Sequence, residues 1–174
     1  VTPAAARLTA AGTAAAVVAA DQATKVWAVS QLQGQPSIPV FGDLLQWTFA
    51  TNSGAAFSLG AGSTTWIFTA IAAVVMVVLV RFIRLTVNPW WALSFGLLFG
   101  GAMGNFIDRW IRPPYGGQGH VIDFIHVPNW PIFNIADMAV VTGAFLMFVL
   151  SVRNIDYRGR TQEPAAQPAP TAVQ

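Results

Sequence analysis

Four apolar stretches govern what this chain can fold into. They cover about residues 8–29, 66–83, 90–107 and 135–152, and each is near the ~20 residues that a helix needs to cross the hydrocarbon core of a bilayer. A segment in lipid must satisfy its backbone hydrogen bonds internally, so each stretch is expected to be a transmembrane helix. Composition agrees, since 9% of the 174 residues are charged, against about 25% in an ordinary soluble domain. Trp66, Trp90 and Trp91 stand at segment ends, where indole rings prefer the membrane–water boundary.

The bases orient the spans. Arg7 precedes the first, Arg81 and Arg84 lie between the second and third, and Arg153, Arg158 and Arg160 follow the fourth. With an even number of spans these fall on one side, which the positive-inside rule makes cytoplasmic. Both termini are then cytoplasmic, and connections 30–65 and 108–134 lie outside. The first span, with Arg7 before it and small residues near Ala20, also fits a cleavable secretory signal, and charge alone does not decide between the two. In the first outer connection Leu45, Trp47 and Phe49 alternate between Gly42 and a TNSG turn at 51–54, which fits a short strand or hairpin on the outer surface. A single membrane domain is expected over residues 1–155, followed by a polar, Pro/Ala-rich, disordered cytoplasmic tail over 156–174. The absence of cysteine excludes disulfides and thiolate chemistry. Bases not clustered with aromatics exclude a nucleic-acid surface.

Ionisable groups beside membrane spans are costly, so each calls for a partner or a function. Asp21 and Lys25 are four apart near the outer end of the first span, on one helix face. Asn105, Asp108 and Arg109 lie at the outer end of the third, Asp123 in the outer connection, and Asp137 at the start of the fourth. Of the seven acids only Asp43, Asp156 and Glu163 fall outside this set. Asn134 can cap the fourth helix, with Asp137 at its third position. Singly, Asp137 reads as part of a cap and Asp123 as a partner for Arg109 or Arg112. Together they permit a dyad: two carboxyls sharing a proton, one activating water and the other hydrogen-bonding a carbonyl. Pro128, Asn129 and Pro131 allow the intervening chain to turn back, and Asp137, near a helix start, is expected to be the more often ionised partner. Asn52, Asn105 and Arg109 can hold extended substrate backbone or merely cap loops. Gly100, Gly101 and Gly104 read as close helix packing. The pattern His120, Asp123, His126 invites a metal, but an extended chain turns both histidines away from Asp123, so none is expected. Polar groups at one boundary, without a polar route in depth or internal repeats, weigh against transport or proton conduction, and a passive scaffold leaves the polar blocks without a role.

Five blocks, in order, resemble one family. DQATK at 21–25, TNSGAAF at 51–57, GGAMGNFIDR at 100–109, VIDFI at 121–125 and FNIAD at 133–137 are similar to those of the lipoprotein signal peptidases, the type II signal peptidases of bacteria. The resemblance, from Asp21 to about Gly143, implies an all-α integral membrane fold of four retained helices, a small extracytoplasmic β-sheet cradle and an outer loop or short helix. It implies a multi-pass enzyme of the bacterial inner membrane, working near the extracytoplasmic face as a monomer among membrane lipids, with no cofactor. Its substrates would be diacylglyceryl-modified prolipoproteins, cut just before the lipid-bearing cysteine. It assigns Asp123 and Asp137 as the catalytic dyad, Asn52, Gly54, Asn105, Asp108, Arg109 and Asn134 as the surround of the site, and Asp21 and Lys25 as a supporting polar pair.

Overall fold

A computed structural model describes residues 1–54 and 65–159 of the chain. Three of the long helices start where the sequence supplies a cap. Thr2 accepts from the Ala5 N–H ahead of Pro3 at the start of α1 (Pro3–Leu32). Asn88 accepts from the Trp90 and Trp91 N–H groups ahead of Pro89 in α3 (Pro89–Ile111). In both helices proline's missing N–H falls where no intrahelical partner exists. With α2 (Thr65–Leu85) and α4 (Ile135–Val152) these make four membrane-spanning helices, with mean hydropathies of 1.2, 2.5, 1.2 and 2.1 in chain order.

Helix α3 runs past the expected end at residue 107, so Asp108 and Arg109 sit in its last turn and not in the connection. An Asp108–Arg112 ion pair at 2.8 Å, one helical turn apart, closes that turn. The other three helices all pack on α3. Gly96, Gly100 and Gly104, four apart, form its face towards α1: a Cβ at Gly100 would stand 2.8 Å from the Val17 Cβ and 2.9 Å from the Ala14 carbonyl oxygen. Gly101 faces Ala136 and Val140 of α4. On that side the Ser94 hydroxyl donates to the Gly143 carbonyl at 2.8 Å. The glycines therefore do what the sequence predicts, letting backbones approach where lipid gives no hydrophobic drive to association.

At one end of the bundle lies a three-stranded antiparallel sheet, β1 (Ile38–Phe41), β2 (Leu45–Asn52) and β3 (Val121–His126), with β2 in the middle. The alternation read from the sequence is realised: Leu45, Trp47 and Phe49 pack against Ile122, Phe124 and Ile125 of β3 and Ala28 and Leu32 of α1. Trp27 stands edge-on to Trp47 and Phe124, with ring centroids at 5.7 and 6.0 Å. The sheet thus rests on the end of α1, three residues longer there than the expected span.

At the far end the Arg7 guanidinium donates to the Arg84 carbonyl. The folded chain also continues beyond residue 155. The Tyr157 carbonyl accepts from the Val87 N–H and the Thr86 hydroxyl, and its ring joins Phe82, Trp91 and Phe95. The rest of the expected tail, 160–174, lies outside the described residues, as does the 55–57 end of the TNSGAAF block.

Gly100→Ala is expected to cost about 1–3 kcal/mol by overpacking, read as a lower unfolding midpoint in detergent. Gly12→Ala, at a position where a Cβ meets nothing within 4 Å, should leave the midpoint unchanged or raise it.

Candidate active site

The path from β3 to α4 is a tight return. Residues 127–130 form a turn in which the Trp130 N–H bonds the Val127 carbonyl, with Asn129 in the left-handed region at φ 62°. Phe133 then pairs with Ile125, exchanging hydrogen bonds of 2.9 and 3.0 Å. This register sets the next residue, Asn134, beside Asp123, and its side-chain amide donates to the Asp123 carboxylate at 2.6 Å.

Asn134 is also the N-cap of α4. Its oxygen accepts from the Asp137 N–H at 3.0 Å, while its own N–H donates to the Asp137 carboxylate at 3.2 Å, a reciprocal capping box. One asparagine therefore touches both acids. Asn105 joins them from α3, donating to Asp137 at 2.8 Å and accepting from Asn134 at 3.2 Å. Asn52 extends the network by donating to the second oxygen of Asp123 at 3.1 Å, while its oxygen accepts from the Gly54 N–H. Capping and site-building thus coexist in the same side chains. Among the described residues Asp123 forms no ion pair, so Arg109 and Arg112 are not its partners.

Behind this network lies a cluster of charge with no solvent access. Lys25 directs its three N–H bonds to Asp21 at 2.9 Å, Asp108 at 2.7 Å and Asn105 at 2.9 Å. Asp21 accepts in addition from the Ala136 N–H in the first turn of α4, and Asp108 from the Ile122 N–H of β3. The strand carrying Asp123 and the helix carrying Asp137 are in this way fastened to one ammonium. Gln22, not singled out from the sequence, donates to Asp21, Asp108 and the Gly104 carbonyl. Its position inside the DQATK block, as an amide in an apolar span, was the available signal.

Arg109 holds a different part. Its guanidinium lies 5.7 Å over the Phe68 ring and donates to the Gly119 carbonyl, and its own carbonyl accepts from Gly117 and Gly119. It orders the loop leading into β3 and bonds neither acid of the pair. Gly54 has φ +87°, and a Cβ there would fall 2.6 Å from the Phe68 ring, so only glycine fits this turn. Among the described residues no three His, Asp or Glu side chains converge as a metal would require.

Asp123 is 3% exposed. Burial, and next the neighbouring Asp137, push its carboxyl up from 3.8 to about 6, against the lowering hydrogen bonds from Asn134 and Asn52. Such opposition between two carboxyls in one site is what lets a proton reside between them.

Residues 13–153 match the family model of signal peptidase (SPase) II. The chain belongs to the signal peptidase II family. The lipoprotein signal peptidase of Mycobacterium avium (strain 104) is 50% identical over 83% of this chain and 79% of its own length. That of Mycobacterium leprae (strain Br4923) is 46% identical over 83% and 71%. A bacterial membrane enzyme solved by the in meso method at 1.9 Å superposes with a TM-score of 0.73 at 32% identity, over 84% of this chain and 94% of that one. In this signal peptidase II chain the network of asparagines around Asp123 and Asp137 is the meeting point of β2, β3, α3 and α4.

Two outcomes test the electrostatics. Lys25→Met strands two carboxylates and should cost about 3–5 kcal/mol in unfolding experiments, with part of the loss recovered by adding Asp21→Asn. The raised Asp123 pKa means that the folded state holds a proton which the unfolded chain releases. Stability should therefore fall as pH rises from roughly 4 to 6, and Asp123→Asn should flatten this part of a midpoint-against-pH curve.

Proposed function

We propose that the chain is a membrane aspartic endopeptidase that removes the signal peptide from diacylglyceryl-modified prolipoproteins, with Asp123 and Asp137 as its dyad. The observation that carries this reading is the bridge: Asn134 bonds both acids, and Asn105 bonds Asp137 and Asn134, which gathers the two carboxyls into one hydrogen-bonded network at the sheet end of the spans. The family and its relatives, which bear the name lipoprotein signal peptidase, support the substrate class.

The mechanism follows from which acid keeps the proton. Asp123, whose burial pushes it up to about 6, more readily takes up a proton than an ordinary carboxyl, and in its protonated form it gives that proton to the scissile carbonyl oxygen. Asp137 accepts at a helix start, where the dipole favours negative charge. As the charged partner it takes a proton from water while the oxygen attacks the carbonyl carbon. The tetrahedral intermediate collapses with cleavage of the C–N bond: one of its hydroxyls returns a proton to Asp123 as the carbonyl re-forms, and the proton gained by Asp137 passes to the leaving amine of the lipid-bearing cysteine. Nothing in this sequence needs a covalent acyl intermediate. Asn52 offers a donor and an acceptor for an extended substrate.

Location supports the reading as well. The substrate's signal helix and acyl chains stay in lipid while hydrolysis needs water, so the reactive groups belong at the boundary. By the positive-inside rule, Arg7, Arg84 and Arg153 at the far end are cytoplasmic, which makes the sheet end extracytoplasmic in the inner membrane. Among the described residues Asp21, Lys25 and Asp108 bond one another at that same end, a closed cluster and not a polar route through the bilayer.

Asp123→Asn and Asp137→Asn should each reduce cleavage of a diacylated precursor by roughly 10²–10⁴-fold or more without lowering the unfolding midpoint by more than a few degrees. An unmodified precursor should remain uncut by the native chain. Appreciable turnover by either folded variant would remove the dyad.

A further inference from the structure

Helices α2 and α4 flank α3, and the space between them is a cavity of about 640 Å³, lined by Val78, Phe82, Phe95, Val140, Met147 and Tyr157 among others. Its upper limit adjoins the asparagine network: Val140 stands three residues after Asp137, and Ala102 three before Asn105, one turn along the same faces. Its lower limit is where the chain leaves α4. Residues 153–159 cross from the end of α4 to the α2–α3 connection, fastened by Trp91 Nε1 to the Ile155 carbonyl at 2.7 Å and by Val87 N–H and the Thr86 hydroxyl to the Tyr157 carbonyl at 2.9 and 3.1 Å. The Tyr157 ring, packed on Phe82, Trp91 and Phe95, lines the cavity at that end.

The depth of this groove selects its occupant. From Asp137 to Ser151, the last α4 residue lining it, is roughly 14 residues, or about 21 Å of helix. An acyl chain entering at the boundary ends near the bilayer midplane, about 15 Å down. A groove that continues to Trp91 at the start of α3 is built for something that goes further, a helix. The apolar region of a secretory signal has about 7–15 residues, which matches the depth between the acids and Tyr157.

We propose that the strap of residues 153–159, with Tyr157 as its stop, sets the longest apolar signal helix that the enzyme accepts. Tyr157 is a specificity-determining residue remote from the reacting atoms, and this role rests on the peptidase activity proposed above. A signal helix of up to about 14 apolar residues seats with its cleavage site at the dyad. A longer one meets the Tyr157 ring and is held out of register.

The test is a series of diacylated precursors whose apolar segments range from about 8 to 20 residues, cleaved by the full-length protein in lipid. The native chain should lose at least tenfold in kcat/KM beyond about 14 residues. Tyr157→Ala should move that fall by about one turn to longer segments and leave short precursors cut at the native rate, and Tyr157→Phe should keep the native profile. A photoreactive residue at the deep end of a 14-residue segment should label the strap of the native chain, and one in a 9-residue segment should not. A flat length profile, a profile unmoved in folded Tyr157→Ala, or labelling that spares the strap would overturn the stop alone. If the native chain cuts no precursor of any length, the peptidase reading fails and the stop falls with it.

Discussion

The buried ammonium of Lys25 is the constraint on which the arrangement depends. Taking a lone charge out of water costs several kcal/mol even after relaxation, and the cost is offset here only because all three N–H bonds end on oxygens. Those oxygens belong to α1 and α3, and the carboxylates that carry them reach on to the backbone of β3 and α4. Any slip of one element would leave a buried charge unpaired. Rigidity at the site therefore comes from the penalty for loosening it more than from the strength of any one bond.

This explains why the polar residues can lie so far apart in the chain. Asp21 bonds Ala136, 115 positions away, and Asn52 bonds Asp123, 71 away. In lipid the helices associate without much hydrophobic drive, and close glycine contacts along α3 provide the fit while the charge cluster provides the register. The sheet adds an aromatic seat on α1. Three different forces, packing, ion pairing and strand pairing, thus converge on one end of the bundle, and the acids sit where they meet.

Much of this was legible in the sequence because the signals were periodic or local. Apolar length marked the spans, alternation at Leu45, Trp47 and Phe49 marked β2, and the Asn134–Asp137 spacing marked a cap. What escaped was long-range or owed to tertiary contact. The last turn of α3 reads as polar connection, and only the partners of Asp108 make it helix. Arg109 looks like a natural partner for Asp123, but the Gly119 carbonyl and the Phe68 face draw it elsewhere. Tyr157 reads as the start of a polar tail, and only the aromatic cluster beneath it reveals a docked segment. For Asn134 and Asp137 the cap does not exclude a place beside Asp123, since the residue that caps α4 also bonds that carboxylate.

In the proposed dyad the asparagines set the electrostatics of Asp123. Had a cation touched Asp123 directly, it would hold that carboxyl ionised, and no proton would remain to divide. Amides avoid this: the hydrogen bonds of Asn134 and Asn52 lower the Asp123 pKa, but less than burial raises it, and the direct pull of Lys25 is the smallest cause among those that act on it. Asn105 stands between the two regimes, accepting from Lys25 at 2.9 Å and donating to Asp137 at 2.8 Å. Its amide links the buried cation to Asp137 while keeping the cation itself out of contact. Under the proposed dyad, a neutral residue at this junction is therefore what would allow one cluster to be locked by full charges and its neighbour to hold a movable proton.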